Sequence, residues 1–448
     1  MKQISLLALG CAGLIASPAS AQDQPTDHAA HAEHGAAPTA PPPEPTVDAM
    51  DDMAMEHTAM NHSRMDHPMP ARAQWTAGSG TSRLPGAEGM MPGIMADTGG
   101  WNIMAHAATN LNYTSASGPR GSDMAYVTSM LMASATRDTE AMTFQFSAMM
   151  SAEPAMNARG YPNLFATGET AGGAPLVDRQ HPHDLFMELS ARADIKLGAG
   201  TTLFVYGGPV GEPALGPSAF VHRLSASLNP EPPISHHWLD STHITYGVVT
   251  AGLSAPLWQL EASAFRGREP DENRWDIETP RLDSWSVRAT LTPNPRWAVQ
   301  ASYGWIKAPE ITHPGSNERR FTASAHYASG GGLTAMLGYS ARRRSGETTL
   351  PAWLAEANWN FDLRNAVFGR IENVTNDELF PDHADPLHDQ PFKVTKLQAG
   401  YARKVRLGRV GLALGASGAV FLTPAALGTV YGKTPVQGTL FLRFWLDR

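Results

Sequence analysis

Between residues 50 and 69 the chain repeats a frame of Met-x-His-x-x. The units are Met55-Glu56-His57, Met60-Asn61-His62 and Met65-Asp66-His67, closed by Met69. Met50-Asp51-Asp52 fits one step earlier with Asp52 in the histidine slot, and Met53 follows it. Thioether sulfur is a soft ligand that selects Cu(I), whereas imidazole with carboxylate suits Cu(II), nickel or zinc. A chain alternating the two is expected to hold copper in either oxidation state. The plainer reading is a low-complexity linker, but methionine is normally a scarce core residue, and a regular Met/His frame is hard to reach by accident. His28, His31 and His34 come earlier at steps of three, ahead of a Pro-rich spacer at 38–45. The expected ligand set is therefore His28, His31, His34, Met50, Met53, Met55, His57, Met60, His62, Met65, His67 and Met69.

The segment carrying these residues, 22–75, is Ala, Pro, Asp, His and Met with almost no Leu, Ile or Phe. It cannot bury enough apolar surface to offset chain entropy and is expected to be disordered. Before it, Lys2, the apolar run 4–15 and Ala19-Ser20-Ala21 form a secretory signal peptide, residues 1–21. The single cysteine, Cys11, lies inside that signal, so a processed chain has no thiol chemistry. Lipidation at Cys11 would need Leu three positions earlier, where Ala8 stands. Together, the signal peptide, the units Met-Asn-His-Ser-Arg-Met and Met-Asp-His-Pro-Met within residues 50–69, and a β-rich remainder resemble the outer-membrane copper-resistance protein B family. The resemblance implies a periplasmic Met/His segment joined to a barrel, and a role in copper tolerance.

Residues 76–100 form a Gly/Met-rich lead-in, and 101–448 read as an all-β transmembrane antiparallel barrel. Trp297, Val299, Ala301, Tyr303 and Trp305 alternate with polar or small residues, as do Trp285, Val287, Ala289 and Leu291. Successive strand side chains point to opposite faces, so each segment has an apolar and a polar side. Aromatics at the ends of the apolar rows match interfacial girdles. Charged residues are 17% of the 448-residue chain, against about 25% in ordinary soluble proteins. Strands are expected near 101–113, 123–136, 139–151, 185–197, 200–207, 241–254, 256–266, 283–292, 296–306, 319–329, 332–341, 352–362, 364–374, 394–405, 409–421 and 436–446. That is about sixteen, with 12 to 18 as the range, joined by alternating short turns and long loops. Arg288, His326, Glu356, Arg370 and Glu372 fall on the lumen side of this pattern.

A second set of candidate ligands lies outside the tail. Met90, Met91 and Met95 sit in the lead-in. Met130 and Met132 share one strand face and could line the lumen, although methionines filling the lipid face or plugging the mouth are the simpler expectation. His181-Pro182-His183-Asp184 closes the first very long loop. A His-x-His spacing puts two imidazoles on one side of an extended chain, and Asp184 adds an oxygen. His222, His236, His237 and His243 lie in or beside the next long loop. If both loops fold inward, these residues meet as a His-rich constriction.

The net charge of −8 argues against nucleic acid as a partner. No Gly-x-Ser-x-Gly elbow, phosphate loop or His-Glu-x-x-His is present, so no enzyme is expected. The expected function is an outer-membrane barrel that binds copper through a periplasmic tail, for sequestration or export. Its partners would be outer-membrane lipid, metal ions and periplasmic copper carriers. The alternative is a porin-like solute channel whose tail buffers metal or is vestigial.

Overall fold

In the computed structural model, residues 73–156 and 159–447 are described. The tail ligands His28, His31, His34, Met50, Met53, Met55, His57, Met60, His62, Met65, His67 and Met69, and the signal peptide, lie outside those residues. Sixteen antiparallel strands close a barrel among the described residues. They are β1 Trp101–Ala116, β2 Asp123–Asp138, β3 Met142–Met150, β4 Phe186–Gly198, β5 Thr201–Gly211, β6 Thr245–Ser254, β7 Trp258–Phe265 and β8 Ser284–Asn294. The second half comprises β9 Trp297–Ile306, β10 Glu318–Ala328, β11 Leu333–Arg344, β12 Leu350–Asn360, β13 Asn365–Asn376, β14 Phe392–Leu407, β15 Val410–Leu422 and β16 Val436–Leu446. The last strand pairs with the first, Leu440 opposite Tyr113, which leaves no open edge.

The alternation is inverted relative to a water-soluble sandwich. On β8, Ser284, Ser286, Arg288 and Thr290 are buried while Trp285, Val287 and Leu291 face outward. All five residues expected to face the lumen, Arg288, His326, Glu356, Arg370 and Glu372, are buried. Polar residues inside and apolar residues outside make sense only if the outside is lipid. Trp297 pairs with Tyr327 near the short-turn end, ring centroids 4.9 Å apart, and Tyr339 with Trp353 near the long-loop end, 4.5 Å apart. These are the two aromatic girdles.

Strand boundaries depart from the sequence pattern in a few places. The fifth strand runs on to Gly211, and residues 241–243 form a 3-10 turn before β6 begins at Thr245. The lead-in is more than a connector. Trp75–Ala77 and Arg83–Pro85 pair as a hairpin that starts just before residue 76, and Ile94–Thr98 pairs onto the start of β1. The alternation pattern does not show these elements because each is five residues or shorter.

The barrel interior is filled with chain. The loops 151–185 and 212–244 fold inward, as does the 75–85 hairpin. A loop in a lumen must satisfy its polar groups there, and the wall supplies the partners. Arg223 of the second loop pairs with Glu356 of β12 at 2.8 Å, and Glu231 pairs with Lys396 of β14 at 2.8 Å. Ser235 donates to Glu372, and Trp238 Nε1 donates to the Leu350 carbonyl. In the first loop, the Leu164 amide donates to Gln437. In the hairpin, Thr81 donates to Glu261, and Arg83 binds Gln259 and Ser254 of the wall.

Two outcomes follow. Leu414 lies mid-strand on the lipid face, 63% exposed, and Leu414→Arg should cost about 2–4 kcal/mol in urea unfolding from lipid vesicles. Glu356→Ala strands the buried Arg223 and Arg370 and should cost about 3–5 kcal/mol, read first as faster proteolysis of the 212–244 loop; unchanged cleavage would count against its anchoring role.

Candidate metal centre in the barrel lumen

The two inward loops carry the histidines to one place. His181 and His183 are on an extended stretch, and His236 and His237 begin a single helical turn, His236–Leu239. All four are buried, as is His243. Ring centroids lie 5.7 Å apart for His181–His236, 5.6 Å for His181–His237 and 5.3 Å for His236–His237. One ring nitrogen from each of His181, His236 and His237 falls within 4.8 Å of the others. His243 adjoins at 5.0 Å from His236 and 5.5 Å from His183.

Outer contacts orient these rings. His236 Nδ1 meets Asp240 Oδ1 at 2.8 Å, and His243 Nδ1 meets the Asp240 carbonyl at 2.9 Å. His183 Nδ1 meets Glu153 Oε2 at 3.0 Å, and His181 Nδ1 meets the Pro182 carbonyl at 3.2 Å. This is the way metal-binding imidazoles are usually held: one nitrogen is engaged by an acceptor and the other is left for the ion. His237 Nδ1 faces Glu269 Oε1 at 3.5 Å, while His181 Nε2 and His237 Nε2 are buried without a hydrogen-bond partner. Glu169 Oε1 lies 3.3 Å from His181 Nε2, with Arg274 holding the other carboxylate oxygen.

The backbone yields to this packing. Gly168 has φ +96°, and a Cβ there would lie 2.4 Å from His237 Cε1. Glu169 follows at φ 58°, an uncommon conformation for a non-glycine residue.

Burial drives His181 and His243 well below the ordinary imidazole range, with neighbouring cationic groups adding to it for both. Burial also lowers His236 against the pull of Asp240. These three are neutral at pH 7 and have a lone pair to give. His237 behaves oppositely. Burial pulls it down, but the carboxylates of Glu269 and Glu169 override this and raise it to about 9. Burial raises Glu169 to about 7 despite Arg274. The cluster is therefore a set of imidazoles balanced by carboxylates, in which His237 holds a proton at pH 7.

Asp184 does not join the ligands. It turns to Arg274, Oδ2 to Nη1 3.3 Å. Its carboxylate is not among the atoms that gather with His181, His236 and His237. Arg274, in the connection between β7 and β8, is itself buried and pairs with both Glu169 and Asp184. Met90 and Met91 line a separate cavity of about 250 Å³ with His106, Met130 and Trp445, near the short-turn end. Met95 is exposed on the 94–98 strand and does not line that cavity. Met130 and Met149 are buried on the lumen side, so these strand methionines are not lipid-facing. Sequence reasoning missed Glu153, Glu169 and Glu269, each on its own stretch of loop, and Asp240, which follows His236 by four residues. A second group, Glu310, His313 and Glu378, also has ligand spacing. Its carboxylates are taken by Arg342 and Arg344, which leaves little room for a cation.

The structure resembles OmpF of Salmonella typhi, solved with daunomycin, at a TM-score of 0.51 and 10% identity over 79% of this chain and 100% of that one. The fold is that of a porin barrel. An anion-selective porin from Comamonas acidovorans gives 0.49 at 11% identity, over 77% of this chain and 100% of that one. OprB of Pseudomonas putida gives 0.47 at 10% identity, over 78% and 94%. No family model matches the sequence, and no curated protein matches it.

The His237–Glu269 contact, 3.5 Å, sets a pH dependence. The folded value near 9 lies above the ordinary imidazole value of 6.5. The stability it adds is fully present below about pH 6.5 and is lost as pH rises through about 9. Proteolysis of the 236–243 segment should accelerate across that window, and Glu269→Gln should abolish the acceleration. A pH-flat cleavage rate in the unaltered protein would contradict the assignment.

Proposed function

We propose that this chain is an outer-membrane porin-type barrel whose lumen handles transition-metal ions, with the 22–72 segment on the periplasmic side as a copper collector. The observation that carries the reading is the meeting of His181, His236 and His237, from two separate loops, with unpartnered nitrogens inside the barrel. A general solute channel has no use for such a cluster and would not fill its lumen with two loops tied down by buried ion pairs. Three imidazoles with carboxylates nearby suit Cu(II), zinc or nickel. The Met/His repeat favours copper, since a nickel or zinc tract needs only histidine. The even strand number and outward girdles support an outer-membrane position, with the short turns toward the periplasm. Periplasmic copper carriers are the natural donors or acceptors, and the reading involves no covalent chemistry.

The fold likeness to OmpF favours a second reading, a solute channel opened by withdrawal of the inward loops. Planar-bilayer recording separates them. The metal reading predicts no porin-sized steady conductance in the intact chain, and an open channel after removal of 212–244 if the barrel survives. Large solute currents from the intact protein would favour the channel.

Metal content tests the main reading. The detergent-purified full chain, a form lacking residues 22–72, and His181→Gln/His236→Gln/His237→Gln are to be titrated with Cu(I), Cu(II), zinc and nickel. The shortened form should keep about one divalent ion per chain, and the triple variant should lose it. Affinity should rise with pH toward about 9, because the ion displaces the His237 proton. Equal binding by the triple variant would overturn the luminal site.

A further inference from the structure

A different set of side chains lies between the His181 cluster and the short-turn end of the barrel. His222 Nε2 stands 3.2 Å from Met149 Sδ, both buried. They line a small cavity of about 10 Å³ together with Met187 and His243. That is room for about one water-sized particle. His243 Nε2 is buried without a hydrogen-bond partner, and its Nδ1 is already engaged by the Asp240 carbonyl at 2.9 Å. Met130, Met149 and Met187 pack as one buried cluster.

Two properties of this group point to a soft monovalent ion. The first is spacing. A nitrogen and a sulfur sharing one ion at bond lengths of about 2.0 and 2.3 Å sit roughly 3.5 Å apart, close to the distance observed. The second is charge. Burial pushes His222 down to about 3, with His106 adding to the effect, so this imidazole is neutral and available. Two thioethers and two neutral imidazoles carry no negative charge, which disfavours a divalent ion in a buried site and suits Cu(I). Two acidic side chains, Glu188 and Glu212, also line the cavity. Glu188 accepts from Ser190 and Tyr206, and burial raises Glu212 to about 8.

We propose that Met149, His222, Met187 and His243 form a second luminal site selective for Cu(I) or an equally soft monovalent ion. This inference rests on the metal-handling reading but uses side chains the histidine triad does not, so the two fail separately. The site's neighbours give it a place on a route. His222 contacts His106 with ring centroids 5.9 Å apart, and His106 lines the 250 Å³ cavity that Met90, Met91 and Met130 share near the short-turn end. On the other side, His243 touches His183 and His236. Methionine and histidine thus succeed one another from the short-turn end to the triad, soft ligands first and imidazoles after.

The test uses the full chain in detergent, with Ag(I) as a redox-inert probe for Cu(I) and Zn(II) as a divalent probe. Met149→Leu conserves volume and removes the sulfur. His181→Gln/His236→Gln/His237→Gln removes the triad. Heat-modifiable gel mobility confirms that each variant is folded. Met149→Leu is expected to lose about one Ag(I) per chain and keep its Zn(II), while the triad variant loses Zn(II) and keeps that Ag(I). Ag(I) stoichiometry unchanged in Met149→Leu overturns this site, whatever the triad does. Loss of Ag(I) in Met149→Leu with Zn(II) unchanged in the triad variant supports the soft site and removes the triad instead. If Met149→Leu misfolds, His222→Gln serves in its place, and the same Ag(I) loss or retention decides.

Discussion

The buried chain Asp240–Arg223–Glu356–Arg370 holds the interior together. Arg223 contacts Asp240 and Glu356, each at 2.8 Å, and Glu356 reaches Arg370 at 3.0 Å. Four alternating charges out of water are tolerable only because each is paired. This one chain joins loop to wall and also reaches the candidate site. Asp240 orients His236 through its carboxylate and His243 through its carbonyl. Remove the wall carboxylate, and the loop loses its anchor and the imidazoles lose their fixed orientation. The scaffold and the chemistry therefore share a single electrostatic dependency.

The same dependency explains why the lumen is rich in arginine paired with glutamate. A lumen-facing strand row must be polar because the outer row is taken by lipid contacts, and a filled lumen then buries those polar groups. Arg288 with Glu261, Arg320 with Glu318 and Lys396 with Glu231 repeat the solution. An open channel would leave such groups solvated, whereas here the inward loops seal them.

Much of the barrel could be read from the chain because its period is two. Residues 284–291 announce both faces of β8, and each of the sixteen strands lies within a few residues of its expected position. The ends were less legible. The fifth strand was expected to end at Gly207, yet neighbouring strands carry it to Gly211. The site was legible only in part. The His-x-His spacing singled out His181 and His183, but that the two loops meet is not visible from sequence and comes from the structure. The spacing said nothing of which carboxylates would accompany them, because Glu153, Glu169 and Glu269 arrive from separate stretches. Asp184, expected to add an oxygen beside His183, pairs with Arg274, which arrives from a distant loop. The Met149–His222 contact joins residues 73 positions apart, a pairing that no local pattern encodes.

The most direct test of a luminal metal centre is anomalous scattering from crystals of the full chain soaked separately with Cu(II) and Zn(II). The account predicts a peak inside the barrel, bounded by the ring nitrogens of His181, His236 and His237, with the 212–244 loop still in place. A lumen without a peak in crystals whose loops occupy the positions described would contradict it.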